Sequence, residues 1–175
     1  QHLKLHEPSM DLEIYNVAMS GSVAADLPWQ AQKIVDEWNR ELYRKVSYIT
    51  VTIGANDVCA EWTPGGNTDK EIRFYVRQFF KTLTKIKQSE PIRIFISAIP
   101  RIPDLGQPEI LQHYLTEDLS CEYRMKVRDQ YCNSLIDWKT PEEYRSKVKL
   151  VAQKNYVLEK LVGEANQIPQ LAVAF

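Results

Sequence analysis

At 175 residues the chain is long enough for one domain with a sizeable core, and its 44% hydrophobic and 26% charged residues are those of an ordinary folded domain. A net charge of −1 gives no electrostatic reason to expect nucleic acid or an anionic membrane as partner, and no apolar run is long enough to span a bilayer. The three cysteines, Cys59, Cys121 and Cys132, form no Cys-x-x-Cys pair, and the three histidines have no metal-ligand spacing, so neither a metal nor another cofactor is expected. Cys121 and Cys132 flank a short polar segment. Either they bridge in an oxidising compartment, which leaves Cys59 odd or paired elsewhere, or all three remain thiols.

In chain order, residues 12–17 form a short apolar run that reads as a strand, followed by a turn at Ser20-Gly21-Ser22. Asp26 is placed to cap a helix with Pro28 in its first turn, running towards Leu42, with Ile34, Val35, Trp38 and Leu42 at helical spacing. Residues 48–53, rich in β-branched side chains, read as a buried strand. Thr68-Asp69-Lys70-Glu71 is a capping box that opens a helix with an apolar stripe at Ile72, Tyr75, Val76, Phe79, Leu83 and Ile86. Residues 92–99 read as another strand, and a proline-rich loop follows. Residues 110–138 read as helical with a muddled pattern. Thr140-Pro141-Glu142-Glu143 is a second capping box, opening a long helix through Ala165, and residues 171–175 begin one more strand. Strands alternating with helices predict βαβ units around a parallel sheet, with all strand carboxyl ends on one edge.

Two loops then fall on that edge. Gly54-Ala55-Asn56-Asp57 ends one strand, and Met19-Ser20-Gly21-Ser22 ends the other. Ligands of open α/β sheets bind at this edge. A glycine N–H and a neutral Asn amide aimed at one point make a pair of donors for a developing negative oxygen, an oxyanion hole. Glycine leaves the approach open, and Asn donates at any working pH. Asp57 is better suited to holding the loop by accepting backbone N–H bonds than to chemistry. The plain alternative is a strand-ending turn and the start of a helix.

These residues resemble a known family. Asn16-Val17-Ala18-Met19-Ser20-Gly21, followed by Leu27 and Gln30, is similar to block II of the SGNH/GDSL hydrolases, and Gly54-Ala55-Asn56-Asp57 to their block III. The stretch from Asn16 to Cys59 resembles the phospholipase B-like branch, whose block III often continues as Ile-Gly-Ala-Asn-Asp-Val-Cys. The resemblance implies a flavodoxin-like three-layer α/β sandwich with a parallel sheet, and hydrolysis of a small ester or lipid through an acyl-serine. By that resemblance Gly21 donates its backbone N–H, and Asn56 its side-chain amide, to the tetrahedral intermediate.

The chain also departs from the family pattern. Residues 1–11 hold no Gly-Asp-Ser nucleophile block, and none of His2, His6 and His113 has an Asp three residues upstream. Residues 1–175 therefore read as a single domain of this type without the first strand and without the Asp-x-x-His block, an internal piece of a longer protein that is inactive alone. A non-catalytic ligand-binding module on the same fold is the alternative. Ala18-Met19-Ser20-Gly21-Ser22 is a weak match to a nucleophile elbow, because both glycines are replaced and no histidine serves Ser20. Gly65-Gly66 is not a phosphate loop and reads as a lip of the cleft. Lys70, Arg73, Arg77, Lys81 and Lys85 line one helix face that is either solvated or membrane-facing, and Trp29 and Trp62 either line a pocket or edge the core. The compartment is open, with a secreted or periplasmic one favoured; oligomeric state is not legible.

Overall fold

The computed structural model describes residues 13–40, 45–61, 69–106 and 138–175. A short 3-10 turn, Ala24–Asp26, leads into helix α1, Leu27–Asn39. Strand β1, Tyr48–Val51, is followed by the two-turn helix α2, Ala55–Glu61, and by helix α3, Asp69–Leu83. Strand β2, Ile92–Ile96, runs into a 3-10 turn, Ile102–Gly106. Helix α4, Pro141–Ala165, and strand β3, Leu171–Ala174, complete the described chain.

The three strands form one parallel sheet in the order β1-β2-β3, with Val51 opposite Ile96 and Ile94 opposite Val173. This is the parallel α/β arrangement that the alternation of elements predicts. Both crossovers, through α3 and through α4, step the same way along the sheet. A right-handed connection therefore puts both helices on the same face. The strand residues on that face, Val51, Ile92, Ile94, Ile96, Leu171 and Val173, are buried and join the inward stripes of α1, α3 and α4 in one core. The stripe predicted for α3 is in place at Ile72, Val76, Phe79 and Leu83, and Phe80 joins it. Tyr48, Thr50, Arg93, Phe95, Ala172 and Ala174 on the opposite face are exposed. Strand β1 is thus half-buried rather than buried as expected, because its alternate residues face away from the helical layer.

Residues 13–17, within the run expected to be a strand, have no regular structure, and Ile14 is 70% exposed. A strand exists only through a partner, and among the described residues none pairs with this segment. The helix at residues 110–138 lies outside the described residues, apart from Trp138, which is not helical.

The helix starts explain themselves locally. Thr140 Oγ1 accepts from Glu143 N at 3.2 Å, and the Glu143 carboxylate accepts from Lys139 N at 2.6 Å, so the second capping box holds with its acid reaching one residue further back. Asp26 departs from its expected role. Its carboxylate accepts from Val23 N at 2.9 Å instead of capping α1, because the 3-10 turn intervenes. Among the described residues, three amide side chains each pair with both backbone groups of one residue: Gln88 with Val46, Asn155 with Ile99, and Asn166 with Val173. Each satisfies donors and acceptors that the short strands leave over. Asn166 thereby occupies the outer edge of β3.

Helix α4 also carries a fully buried lysine, Lys154, whose ammonium donates to Asp69 Oδ1 at the start of α3. Gln153 Nε2 donates to the other oxygen at 2.7 Å. Burial alone pushes the Asp69 carboxyl up, but the bonds from Lys154 and Gln153 outweigh it and hold Asp69 below its ordinary value of 3.8. Folding therefore favours the ionised acid. Its contribution is present above pH 3.8 and lost as pH falls through the lowered folded value. Asp69→Asn is expected to cost about 2–3 kcal/mol in urea unfolding at about pH 7, with the gap to the unaltered protein narrowing steadily as pH falls below 3.8.

Candidate functional site

Val51 ends β1, and Gly54 turns the chain into α2. Gly54 has φ +99°, and a Cβ placed there would lie 2.6 Å from Ile99 Cδ1, so both backbone and packing require glycine. Ile99 is itself fixed, because its N–H donates to Asn155 Oδ1 at 2.8 Å and its carbonyl accepts from Asn155 Nδ2 at 3.0 Å. Helix α4 thus sets the position from which α2 starts. Val58 N donates to Gly54 O at 2.9 Å and closes the first turn.

The first residues of α2 reach across to the loop of residues 20–24. Ala24 N–H donates to both oxygens of the Asp57 carboxylate, 3.0 Å each, and Asp57 is fully buried. Asn56 Nδ2 donates to Ser22 O at 2.9 Å. Ser22 is further held through its hydroxyl by Gln30 Nε2 at 3.2 Å and through its N–H by Met19 O at 3.3 Å. Asp57 holds the loop, as expected from the sequence. The two loops that the sequence assigns to one edge of the sheet are in direct contact.

Gly21 sits at the tip of this arrangement with φ +81°, and a Cβ there would meet nothing within 4 Å. Among the described residues Gly21 N donates to no acceptor. The Asn56 amide carries two hydrogens, and Ser22 O takes one. Chemically, the site offers hydrogen-bond donors close to open space, and Asp57, one residue further on, is turned inward. Ser20 is exposed in the same turn.

Helix α2 also holds Cys59, fully buried and disulfide-bonded. Of the states the sequence leaves open for Cys59, odd, paired elsewhere or a thiol, the structure has it paired. Spacing along the sequence cannot show which cysteines the fold brings together, and the partner lies outside the described residues. Cys121, Cys132, the three histidines, Trp62 and Gly65-Gly66 also lie outside them.

The remaining candidates resolve as surface. Trp29 is 49% exposed with Lys33 Nζ 5.4 Å from its ring centre. On the basic face of α3, Arg77 forms a two-bond pair with Glu164 at 2.8 and 2.9 Å, and in the turn just past the helix Lys85 donates to Gln32 at 2.7 Å. The bonds from Arg77 hold the Glu164 carboxyl below its ordinary value. This face thus spends part of its charge joining helices. A cavity of about 340 Å³ opens between α4 and the end of β3, lined by Arg101, Val151, Tyr156, Glu159 and Phe175 among others, away from Gly21 and Asn56. Among the described residues no helix is long and apolar enough to cross a membrane.

Sequence reading missed Asn155 and Ile99, which determine where α2 begins. The only signal was a polar pair, Lys154-Asn155, in the middle of an amphipathic helix. Residues 5–166 match the family model of the GDSL-like lipase/acylhydrolases. No curated protein and no solved structure matches the chain.

Gly54→Ala is expected to cost about 2 kcal/mol or more in urea unfolding, because it meets both the positive φ and Ile99. Gly163→Ala, on the exposed side of α4 with nothing within 4 Å of the new Cβ, is the control. It should stabilise by about 0.5–1 kcal/mol.

Proposed function

The chain belongs to the GDSL-like lipase/acylhydrolase family, matched over residues 5–166, and from that premise we propose that it is the oxyanion-binding part of a serine esterase or lipase. The family points to ester hydrolysis in general. More specifically, the ester passes to an acyl-serine, and the negative oxygen of the tetrahedral intermediate takes hydrogen bonds from Gly21 N–H and the Asn56 amide. The single observation that supports these roles is the Asn56 Nδ2 bond to Ser22 O, which sets the amide beside the residue following Gly21.

The chemistry follows from charge. As a serine oxygen adds to the ester carbonyl, the carbonyl oxygen becomes negative, and two neutral donors fixed in advance stabilise it without reorganising. Asn56 gives one amide hydrogen to Ser22 O and the other to the oxyanion. Asp57 stays out of the chemistry and holds residues 22–24. The resemblance to the phospholipase B-like branch supports a lipid or small ester as substrate. The disulfide at Cys59 supports a secreted or periplasmic location.

These 175 residues contain neither a Gly-Asp-Ser nor an Asp-x-x-His block, so on this reading they leave p-nitrophenyl acetate unhydrolysed when expressed alone. A longer form carrying both blocks should hydrolyse it. There Asn56→Ala should lower kcat by about 10²–10³ and, through the lost Ser22 bond, cost about 1 kcal/mol of stability. Turnover by residues 1–175 that is blocked by a fluorophosphonate and lost in Ser20→Ala would overturn the reading and make Ser20 the nucleophile.

A further inference from the structure

The disulfide at Cys59 bears on the site through the shortness of the element that carries it. Helix α2 has seven residues, and an isolated helix of that length does not persist in water. It is nonetheless the element from which Asn56 and Asp57 reach residues 22–24. Its seating is fixed at its start by Gly54 against Ile99, and within its body by the buried side chains of Val58 and Cys59. Cys59 follows Asp57 by two residues, so the covalent tie falls within one turn of both gripping side chains.

We infer that Cys59 is a positioning residue: its disulfide holds α2 so that the Asn56–Ser22 and Asp57–Ala24 bonds persist, which makes the geometry of the site dependent on redox state. A dithiol reductant converts the bond to two thiols and is itself oxidised to a disulfide, the two electrons and two protons passing to the protein sulfurs. Cys59 is fully buried, so attack on its own sulfur requires α2 to open. Once the bond is cut, two helical turns remain, held by packing and by the Asn56 and Asp57 hydrogen bonds to a loop. The loop of residues 20–24, which has no sheet partner among the described residues, loses its grip before the sheet does. Only the functional consequence rests on the oxyanion reading; the mechanical tie does not.

Mass spectrometry of the denatured protein, alkylated with and without reduction, reads the bond itself. Cys59 should be unmodified before reduction and alkylated after it. Hydrogen exchange under native conditions then reads the tie. On reduction, peptides covering residues 22–26 and 55–61 should exchange at least about tenfold faster, while those covering β2 and β3 stay unchanged. Cys121→Ala and Cys132→Ala, which leave Cys59 in the core, keep the test decisive if reductant cannot reach the native bond. One of them should reproduce the faster exchange and the other should not. Alkylation of Cys59 without reduction, unchanged exchange after complete reduction, or a rise spread equally over β2 and β3 would each overturn the inference. An esterase form whose turnover is unaffected while exchange rises would leave the tie standing and refute the oxyanion reading instead.

Discussion

The bond between the Asp57 carboxylate and the Ala24 amide decides the shape of the candidate site. It joins residues 33 apart in sequence, and both of its ends are buried. Leaving a backbone donor or a side-chain acceptor unmet away from water costs about 1–3 kcal/mol. The loop before Ala24 has little else. Residues 13–19 are irregular and largely exposed, and the 3-10 turn at Ala24–Asp26 is three residues long. The loop adopts one position because residues 56 and 57 hold it, Asn56 at Ser22 and Asp57 at Ala24.

That grip is only as firm as the helix that applies it, and α2 takes its placement from the core. Asn155 on α4 fixes Ile99 through both backbone groups, and the Ile99 side chain closes over Gly54, where α2 begins. One residue earlier on α4, Lys154 reaches Asp69 at the start of α3. A single turn of α4 therefore orders the beginnings of two helices. The same helix is clamped at its own start. Arg101 donates to the Tyr144 hydroxyl, Tyr144 donates to Asp104, and the Trp138 indole donates to Pro103 O, which fastens the turn after β2 to the first turns of α4. Rigid support under a mobile class of element, the loop, is what a preorganised donor site requires.

Much of this was legible in the sequence. Periodicity placed α3, α4 and all three strands of the sheet, because an apolar stripe has few ways to be buried. Gly54, Asn56 and Asp57 stood out because turn-forming residues after a β-branched run mark a strand's carboxyl end. What escaped notice depended on partners distant in sequence. Residues 12–17 have a strand's composition, but pairing, not composition, makes a strand. Lys154 has the sequence character of a solvated lysine until Asp69 is placed beside it. Asn155, Gln88 and Asn166 act by matching one residue's backbone, and backbone carries no sequence signal. The Cys59 disulfide is of the same kind, since three cysteines without a spacing motif leave every pairing open.

The most direct test of the account is a crystal structure of a form of the protein that carries the nucleophile, phosphonylated on its serine. The phosphonyl oxygen then stands where the oxyanion forms. The account predicts that this oxygen lies about 3 Å from both Gly21 N and Asn56 Nδ2, with the Asn56–Ser22 and Asp57–Ala24 bonds intact. A phosphonyl oxygen held by other donors, or Gly21 and Asn56 facing different sides of the adduct, would contradict it.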